Sequence, residues 1–299
     1  MAGYSEKERD LTNDYTMFYG EGLPNPTPYR DRGKSDTGSI ELRLASPKGE
    51  RFDYLIGVMG SSTDKTLNDS VSSVGSFAIF SQDNDLADLR GDMFYWGEAK
   101  VDGEEKAVFG EANVRFTDQW TLTLGGRWFD TEVNSRALYS GIFYAGGLAL
   151  PRGHQTEDGF ARKVSLAWRR DADLMVYALA SKGYRFGNPN MIFPLEDFAT
   201  PSGWETDSLW NYEVGMRATW FDRRVQTDLT VFLIDWSDLQ VRLYRPDEVT
   251  YGTNAGEARN IGQEFSGLWR VTDAIDLSFN LTHLDAQLTE TVISEDNLV

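Results

Sequence analysis

Hydrophobic and polar residues alternate along two neighbouring stretches of the chain, within residues 209–242. The apolar positions of the first stretch share one parity: Trp210, Tyr212, Val214, Met216, Ala218 and Trp220. After the tetrapeptide 221–224 the alternation resumes with Val225, Leu229, Val231 and Leu233. A period of two is typical of β-strands, because successive side chains point to opposite faces. The pattern predicts a hairpin turned at 221–224, with arms about twice the usual five or six residues.

The same alternation predicts about ten strands along the chain. They form five hairpins, within residues 39–62, 105–133, 159–186, 208–243 and 256–290. Short polar turns are expected at 46–50, 117–119, 170–173, 221–224 and 271–274, and long connections at 60–104, 134–158, 187–208 and 244–256. Residues 1–38 are polar and scattered in charge, and are interpreted as an outer loop.

Short turns at one end of the strands and long loops at the other are typical of an outer-membrane barrel. We therefore predict an all-β fold, an antiparallel up-and-down transmembrane β-barrel segment with short periplasmic turns and long extracellular loops. Strands that are apolar on one side and polar on the other suit a wall between lipid and water. The residues expected to face lipid, or to support the wall, are Trp120, Trp128, Trp210, Val214, Trp220, Leu229 and Val231.

The composition is consistent with a membrane wall and disfavours other classes. Aromatic residues make up 13% of the 299 residues, and tryptophan and tyrosine near strand ends suit the membrane interface. The net charge of −18 disfavours nucleic acid as a partner. There are no cysteines and only two histidines, His154 and His283. The sequence therefore lacks the cysteines of a thiolate metal site and has few residues from which a hydrolase triad could be built. We expect no enzyme activity, no cofactor and no dedicated metal site.

Four segments together resemble the TonB-dependent outer-membrane receptors. They are SIELRLASP (39–47), VSLAWRRDADLMVYALASKGYRFGNPN (164–190), YEVGMRATWFDRRVQTDLTVFLIDWSDLQV (212–241) and NAGEARNIGQEF (254–265). The segments are similar to barrel blocks of that family and occur in the family's order. Each match is loose alone, and together they are specific.

The resemblance implies a barrel of 22 strands with a plugged lumen, in the outer membrane of a Gram-negative bacterium. Its implied partners are outer-membrane lipid, a ferric siderophore or similar chelate, and TonB acting through a plug domain. The chain departs from the family in having no plug before residue 39 and no terminal strand ending in an aromatic residue. Residues 1–299 are therefore expected to be the central part of a barrel, a fragment of the receptor.

Candidate ligand contacts follow from side-chain chemistry and from the expected outer loops. Tyr139, Phe143 and Tyr144 lie in a loop where the family binds ligand, and exposed aromatic side chains suit an apolar or aromatic chelator. Packing between loops is the alternative role for them. Arg127 and Arg217 are expected on the polar face, where they would guide a ligand or form a structural ladder of cross-strand charges.

Two weaker metal candidates and two alternative functions also follow from the sequence. Asp83, Asp85 and Asp88 form an acidic cluster without full calcium-loop spacing, and His154 is more simply a surface residue. Beside energised uptake of a scarce nutrient, most often a ferric siderophore in this family, the alternatives are a passive porin-type barrel and a soluble carbohydrate-binding β domain.

Overall fold

The protein is described by a computed structural model over residues 1–19, 23, 26–81, 89–144, 147–193, 198–246 and 249–290. Its strands, in chain order, are β1 (Ala2–Asp14), β2 (Pro28–Ala45), β3 (Phe52–Ser72), β4 (Met93–Arg115), β5 (Trp120–Gly141), β6 (Leu148–Ala149), β7 (Gly153–Arg169), β8 (Leu174–Arg185), β9 (Asn188–Pro189), β10 (Gly203–Trp204), β11 (Asp207–Trp220), β12 (Val225–Ser237), β13 (Gln240–Tyr244), β14 (Thr250–Asn254), β15 (Ala258–Thr272) and β16 (Ile275–Leu288). Two short helices, α1 (Thr16–Tyr19) and α2 (Ser76–Phe80), lie in connections. In these ranges no helix is long and apolar enough to cross a membrane.

Eleven strands form one antiparallel path in chain order, β1-β2-β3-β4-β5-β7-β8-β11-β12-β15-β16, and β6 adds to β5. Two small separate sheets pair β9 with β10 and β13 with β14. Because each strand of the path pairs with its neighbours along the chain, the sheet is up-and-down, and the predicted fold class is confirmed. Over the described residues, β1 and β16 at the two ends of the path do not pair with each other.

The β11–β12 hairpin has the predicted turn. Its register runs from Ser208 opposite Ser237 to Trp220 opposite Val225, with Val214 opposite Val231. The turn at 221–224 is closed by the backbone N–H of Arg224, which donates to the carbonyl of Phe221 at 3.1 Å. Three residues of this turn have positive φ: Phe221 (53°), Asp222 (52°) and Arg223 (65°).

In the part of the sheet near the short turns, alternating apolar and polar residues make one face apolar and the other polar. One face is an apolar band that crosses the strands of the main path from β2 to β16, with exposed side chains such as Leu42, Ile56, Val108, Leu124 and Val231. The opposite face carries polar and charged residues, together with aromatic rings that lie over glycines. Gly262 pairs with Phe232 on this face, and a Cβ at Gly262 would lie 2.2 Å from the Phe232 ring. The glycine is therefore required by the close approach of the ring.

The interpretation of residues 1–38 as an outer loop is wrong. β1 pairs with β2 from Ala2 opposite Ile40 to Asp14 opposite Pro28. Charged pairs hold this hairpin together, including Arg9 with Asp31 at 2.7 Å and Lys34 with Glu6 at 2.9 Å. Alternation fails in this segment because polar side chains occupy both faces, so hydrophobic periodicity carries no strand signal there.

The long connections 60–104 and 134–158 are also largely strand. β3 continues to Ser72, β4 begins at Met93, β5 continues to Gly141, and β7 begins at Gly153. The polar extensions of β1–β5 beyond the apolar band are here called the collar, residues 2–14, 28–38, 60–72, 93–106 and 130–141. Cross-strand polar contacts join its strands, such as Thr37 with Thr63 at 3.0 Å between hydroxyl oxygens. The collar extends the sheet well past the end of the apolar band.

Candidate ligand-binding surface

The seven residues expected to face lipid all lie on the apolar face. Val214 and Val231, which face each other across β11 and β12, are 57% and 48% exposed. The Trp120, Trp128, Trp220 and Leu229 side chains are exposed on the same face, and Trp210 is half-buried against the ring of Tyr212. The Trp220 indole N–H donates to the hydroxyl of Thr227 at 3.0 Å. Trp120 and Trp220 lie next to short turns. The Trp120 ring also forms a tilted pair with the ring of Trp168.

Arg127 and Arg217 lie on the polar face, each in a separate cross-strand network. Arg127 forms an ion pair with Glu105 and donates from Nε to the hydroxyl of Tyr184 at 2.8 Å. Arg217 donates from Nε to Asp228 at 2.9 Å, across the β11–β12 pair. Because both guanidinium groups already have carboxylate partners, these contacts favour the structural ladder over direct ligand contact.

Tyr139, Phe143 and Tyr144 are brought together at the end of the collar. Their rings surround Tyr95 of β4, with ring centroids 6.5, 6.3 and 6.3 Å from it. Phe193 adds an edge-on contact to Tyr144 at 5.6 Å. The five rings, Tyr95, Tyr139, Phe143, Tyr144 and Phe193, are here called the aromatic cluster. The cluster is both loop packing and a surface, because Phe143 remains 53% exposed.

Hydrogen bonds fix two phenols of the aromatic cluster. Tyr95 donates to the Asp69 carboxylate at 2.8 Å, and Tyr139 donates to the carbonyl of Met191 at 3.2 Å. Burial raises the pKa of Asp69, although the Tyr95 hydrogen bond opposes that change. Burial, together with the nearby Asp69 charge, raises the pKa of Tyr139 to about 12. Each phenol has a single O–H, which is already donated within the protein, so these residues offer their ring faces and not a free donor to a ligand.

Three side-chain amides connect the outer connections to one another. Asn190 donates to the carbonyl of Gly252 and accepts from its N–H, both at 2.8 Å. Asn254 makes the same reciprocal pair with the backbone of Glu205, at 2.9 and 2.6 Å. Gln240 donates to three carbonyls, those of Arg185, Phe186 and Glu205. These amides act as short pieces of sheet, so residues 186–190, residues 203–206 and the paired strands β13 and β14 are held as one unit.

Two carboxylates, those of Asp207 and Glu157, also hold this unit in place. Asp207 is 1% exposed and pairs with Arg185, whose guanidinium lies 4.4 Å from the centre of the Trp236 ring. Glu157 accepts from the backbone N–H of Thr206 at 3.0 Å and from the Thr206 hydroxyl. None of these five side chains (three amides and two carboxylates) was a candidate on chemical grounds, although Asn190, Gln240 and Asn254 lie in the segments that resemble the receptor family.

The remaining metal candidates gain no support. His154 lies on β7 with its Nδ1 at 2.9 Å from the Asn134 side-chain oxygen, as a surface residue would. Asp83, Asp85 and Asp88 lie outside the described residues. Among the residues that are described, no group of three or more His, Cys, Asp or Glu could hold a metal ion.

Sequence and structure comparisons agree with this architecture. A family model described as "TonB dependent receptor-like, beta-barrel" matches residues 2–299. The fold defines the chain as the wall of an outer-membrane barrel, and the match shows which family it is. The chain belongs to the TonB-dependent receptor-like β-barrel family, which is found in the outer membrane of Gram-negative bacteria and consists of transport receptors.

Solved structures show the same fold at low sequence identity. The ferric yersiniabactin uptake receptor FyuA from Yersinia pestis is 16% identical with a TM-score of 0.74, over 96% of this chain and 39% of that one. The copper transporter OprC is 15% identical with a TM-score of 0.64, over 96% and 43%. The siderophore receptor PiuA from Acinetobacter baumannii is 18% identical with a TM-score of 0.62, over 97% and 44%. The chain spans less than half the length of these relatives.

Proposed function

We propose that the chain forms part of the wall of a receptor that takes up a scarce nutrient, a ferric siderophore, with energy supplied through TonB. The observation that supports a ferric siderophore as the substrate is the aromatic cluster at the outer end of the sheet. The exposed ring of Phe143 and the half-buried rings beside it suit stacking on the aromatic groups of a chelate. Family membership favours this role over a passive porin and over a soluble carbohydrate-binding domain, and FyuA and PiuA are named for siderophore uptake.

In this proposal the wall does no covalent chemistry. The aromatic cluster and the connected residues 186–190, 203–206, 238–246 and 249–256 would form the first contact with a ligand. The apolar band would face membrane lipid, and the paired charges around Arg127 and Arg217 would line the water-filled side of the wall. TonB would act through a plug domain, as the family implies.

Uptake by intact cells tests the transport role. A strain that lacks the gene is expected to lose growth on one or more defined ferric chelates, and the intact gene is expected to restore it. Restoration should disappear when TonB is deleted or the inner-membrane proton gradient is collapsed. Growth that survives TonB deletion would support the passive porin instead.

Binding measurements test the aromatic cluster separately. Tyr144→Ala and Phe143→Ala are expected to weaken binding of the ferric chelate identified by growth by about tenfold each, because aromatic contacts contribute roughly 0.5–1.5 kcal/mol beyond area burial. Phe116→Ala is the matched control, since Phe116 is 52% exposed and lies beside the short turn between β4 and β5, outside both the cluster and the outer connections. Equal Kd values for all three variants would show that the cluster is not part of the binding site. They would not affect the proposal of transport, which the growth experiment tests.

A further inference from the structure

The two strands β7 and β8 separate towards their outer ends, from the outer edge of the apolar band onward. They pair only from Lys163 with Ser181 to Arg169 with Met175, although β7 begins at Gly153 and β8 ends at Arg185. Residues 154–162 of β7 stay paired with β5 along one edge. Their other edge borders a cavity of about 780 Å³, across which lie Lys182 and Tyr184 of β8. This opening, between 154–162 and 182–184, is here called the slot.

The slot exposes backbone hydrogen-bonding groups of β7. Arg169 donates its N–H to Gln119 at 2.7 Å, whereas Arg170 donates to Leu174 at 3.0 Å. Since N–H direction alternates along a strand, the even residues 154–162 direct their N–H and C=O groups away from β5 and into the slot. Over the described ranges, no backbone hydrogen bond joins these even residues to another strand. An unpaired strand edge is a template for adding another strand.

The slot passes through the wall and is acidic. Phe129 of the polar face and Phe160 of the apolar face both line it, and the Tyr184 ring stacks on Phe129 with centroids 3.8 Å apart. Its charged lining side chains are Arg152, Glu157, Asp158, Lys182, Glu205 and Asp238. The Asp158, Glu205 and Asp238 carboxylates make no ion pair with any described residue. Carboxylates therefore outnumber basic groups, and a cation is the complementary occupant.

We propose that the slot binds an extended peptide segment containing lysine or arginine, which adds a strand to the free edge of β7. Main-chain hydrogen bonds would give most of the affinity in such strand addition, and alternate side chains give the specificity. Cationic side chains would face Asp158, Glu205 and Asp238. The volume of about 780 Å³ lies within the range of ligand sites, roughly 300–1,000 Å³. The partner is thus a protein segment, distinct from the small chelate proposed for the aromatic cluster.

Synthetic peptides test the proposal with the full-length protein in detergent micelles. The probe is a fluorescein-labelled nonapeptide that alternates threonine with lysine, and its binding is followed by fluorescence anisotropy. A second peptide carries N-methyl groups on alternate residues, which removes the N–H groups of one edge and keeps the charge. A third replaces lysine with glutamate. We expect binding of the first peptide, at least about tenfold weaker binding of the second, and no binding of the third.

Variants of β7 locate the site. Thr156→Pro removes an N–H that faces the slot without removing a hydrogen bond to β5, and proline is tolerated at such edge positions. It is expected to weaken binding of the lysine peptide about tenfold, whereas the control Thr156→Val keeps the N–H and the affinity. Asp158→Asn is expected to weaken binding and to reduce its salt dependence.

Several results would overturn the proposal. Equal affinity of the N-methylated and unmodified peptides would show that the strand edge is not used. Equal affinity of Thr156→Pro and Thr156→Val would place the peptide elsewhere, and binding of the glutamate peptide would refute the charge argument. If Thr156→Pro does not fold, the N-methylated peptide decides the question with the unmodified protein.

Discussion

Three consecutive residues in the turn between β11 and β12 have left-handed backbone conformations although none of them is glycine. A left-handed conformation costs an L-residue roughly 1–2 kcal/mol, and less for aspartate, whose short side chain tolerates it. The Arg223 side chain lies close to Asp173 of the neighbouring turn, 3.1 Å from Nε to the carboxylate, so part of the turn is held by its neighbour. Among the described residues, the Asp222 side chain has no such partner.

Asp222→Gly is expected to stabilise the hairpin, by about 0.5–1 kcal/mol, because glycine adopts positive φ without steric cost. Urea unfolding in lipid vesicles measures the change. Asp118→Gly is the matched control, since residue 118 lies in another short turn without positive φ, and glycine there only adds entropy to the unfolded chain. A lower stability for Asp222→Gly would show that the left-handed residues are not strained.

The Tyr139 phenol makes a second prediction at this scale. Burial raises its pKa from the usual value of about 10 to about 12. Since the folded state resists ionisation, its contribution to stability is complete below pH 10 and is lost as the pH rises from 10 through 12. Ultraviolet absorbance of tyrosinate measures the titration, and the Tyr139→Phe difference should be centred near pH 12. A difference centred near pH 10 would contradict the burial of this phenol.

At the scale of elements, pairs of glycine and aromatic rings set how closely neighbouring strands pack. Gly262→Ala places a Cβ 2.2 Å from the Phe232 ring, which must move. We expect a loss of about 1–3 kcal/mol in the free energy of unfolding, measured in the same urea assay. Gly38→Ala is the control, because a Cβ at Gly38 has no atom within 4 Å. Similar losses for the two variants would show that general strand propensity, not the ring, matters.

Strands were predictable from sequence where one face of the sheet is apolar and the other polar. Val225 to Leu233 alternate against polar partners, and both the hairpin and its register follow from that pattern. The pairing of Arg9 with Asp31 and of Lys34 with Glu6 carries no such period, because the strand there is polar on both sides. Hydrophobic periodicity therefore predicts the apolar band and misses the collar.

The candidate site was predictable only in its residue types. Tyr139, Phe143 and Tyr144 lie close together along the chain, so their grouping was foreseeable. Tyr95 and Phe193 join them from distant segments through strand pairing. The amides of Asn190, Gln240 and Asn254 were not predicted, because a neutral amide in a connection has no distinctive sequence pattern. Only the contacts in the structure show that these side-chain amides hydrogen-bond to backbone groups, as the backbone of a neighbouring strand would.

At the scale of the whole molecule, the apolar band fixes how the sheet would sit in a bilayer. Val231→Lys places a charge in the middle of the band and is expected to impair assembly by about 2–4 kcal/mol if it lies near the bilayer midplane. Folding into detergent-free lipid vesicles measures the effect. Ser62→Lys, in the collar on the same face of the sheet and opposite Gly38 and Glu104, is the control and should fold as the unmodified protein does. Equal folding of both variants would refute this orientation.

The collar has a consequence for how the protein meets its surroundings. From Gly60 to Ser72, β3 continues past the apolar band, which at about 3.4 Å per residue is roughly 40 Å of strand. In the proposed orientation, this hydrogen-bonded sheet stands outside the bilayer as a rigid, acidic surface. Antibodies raised against the folded collar should therefore recognise living cells without permeabilisation, and should fail to recognise the unfolded chain.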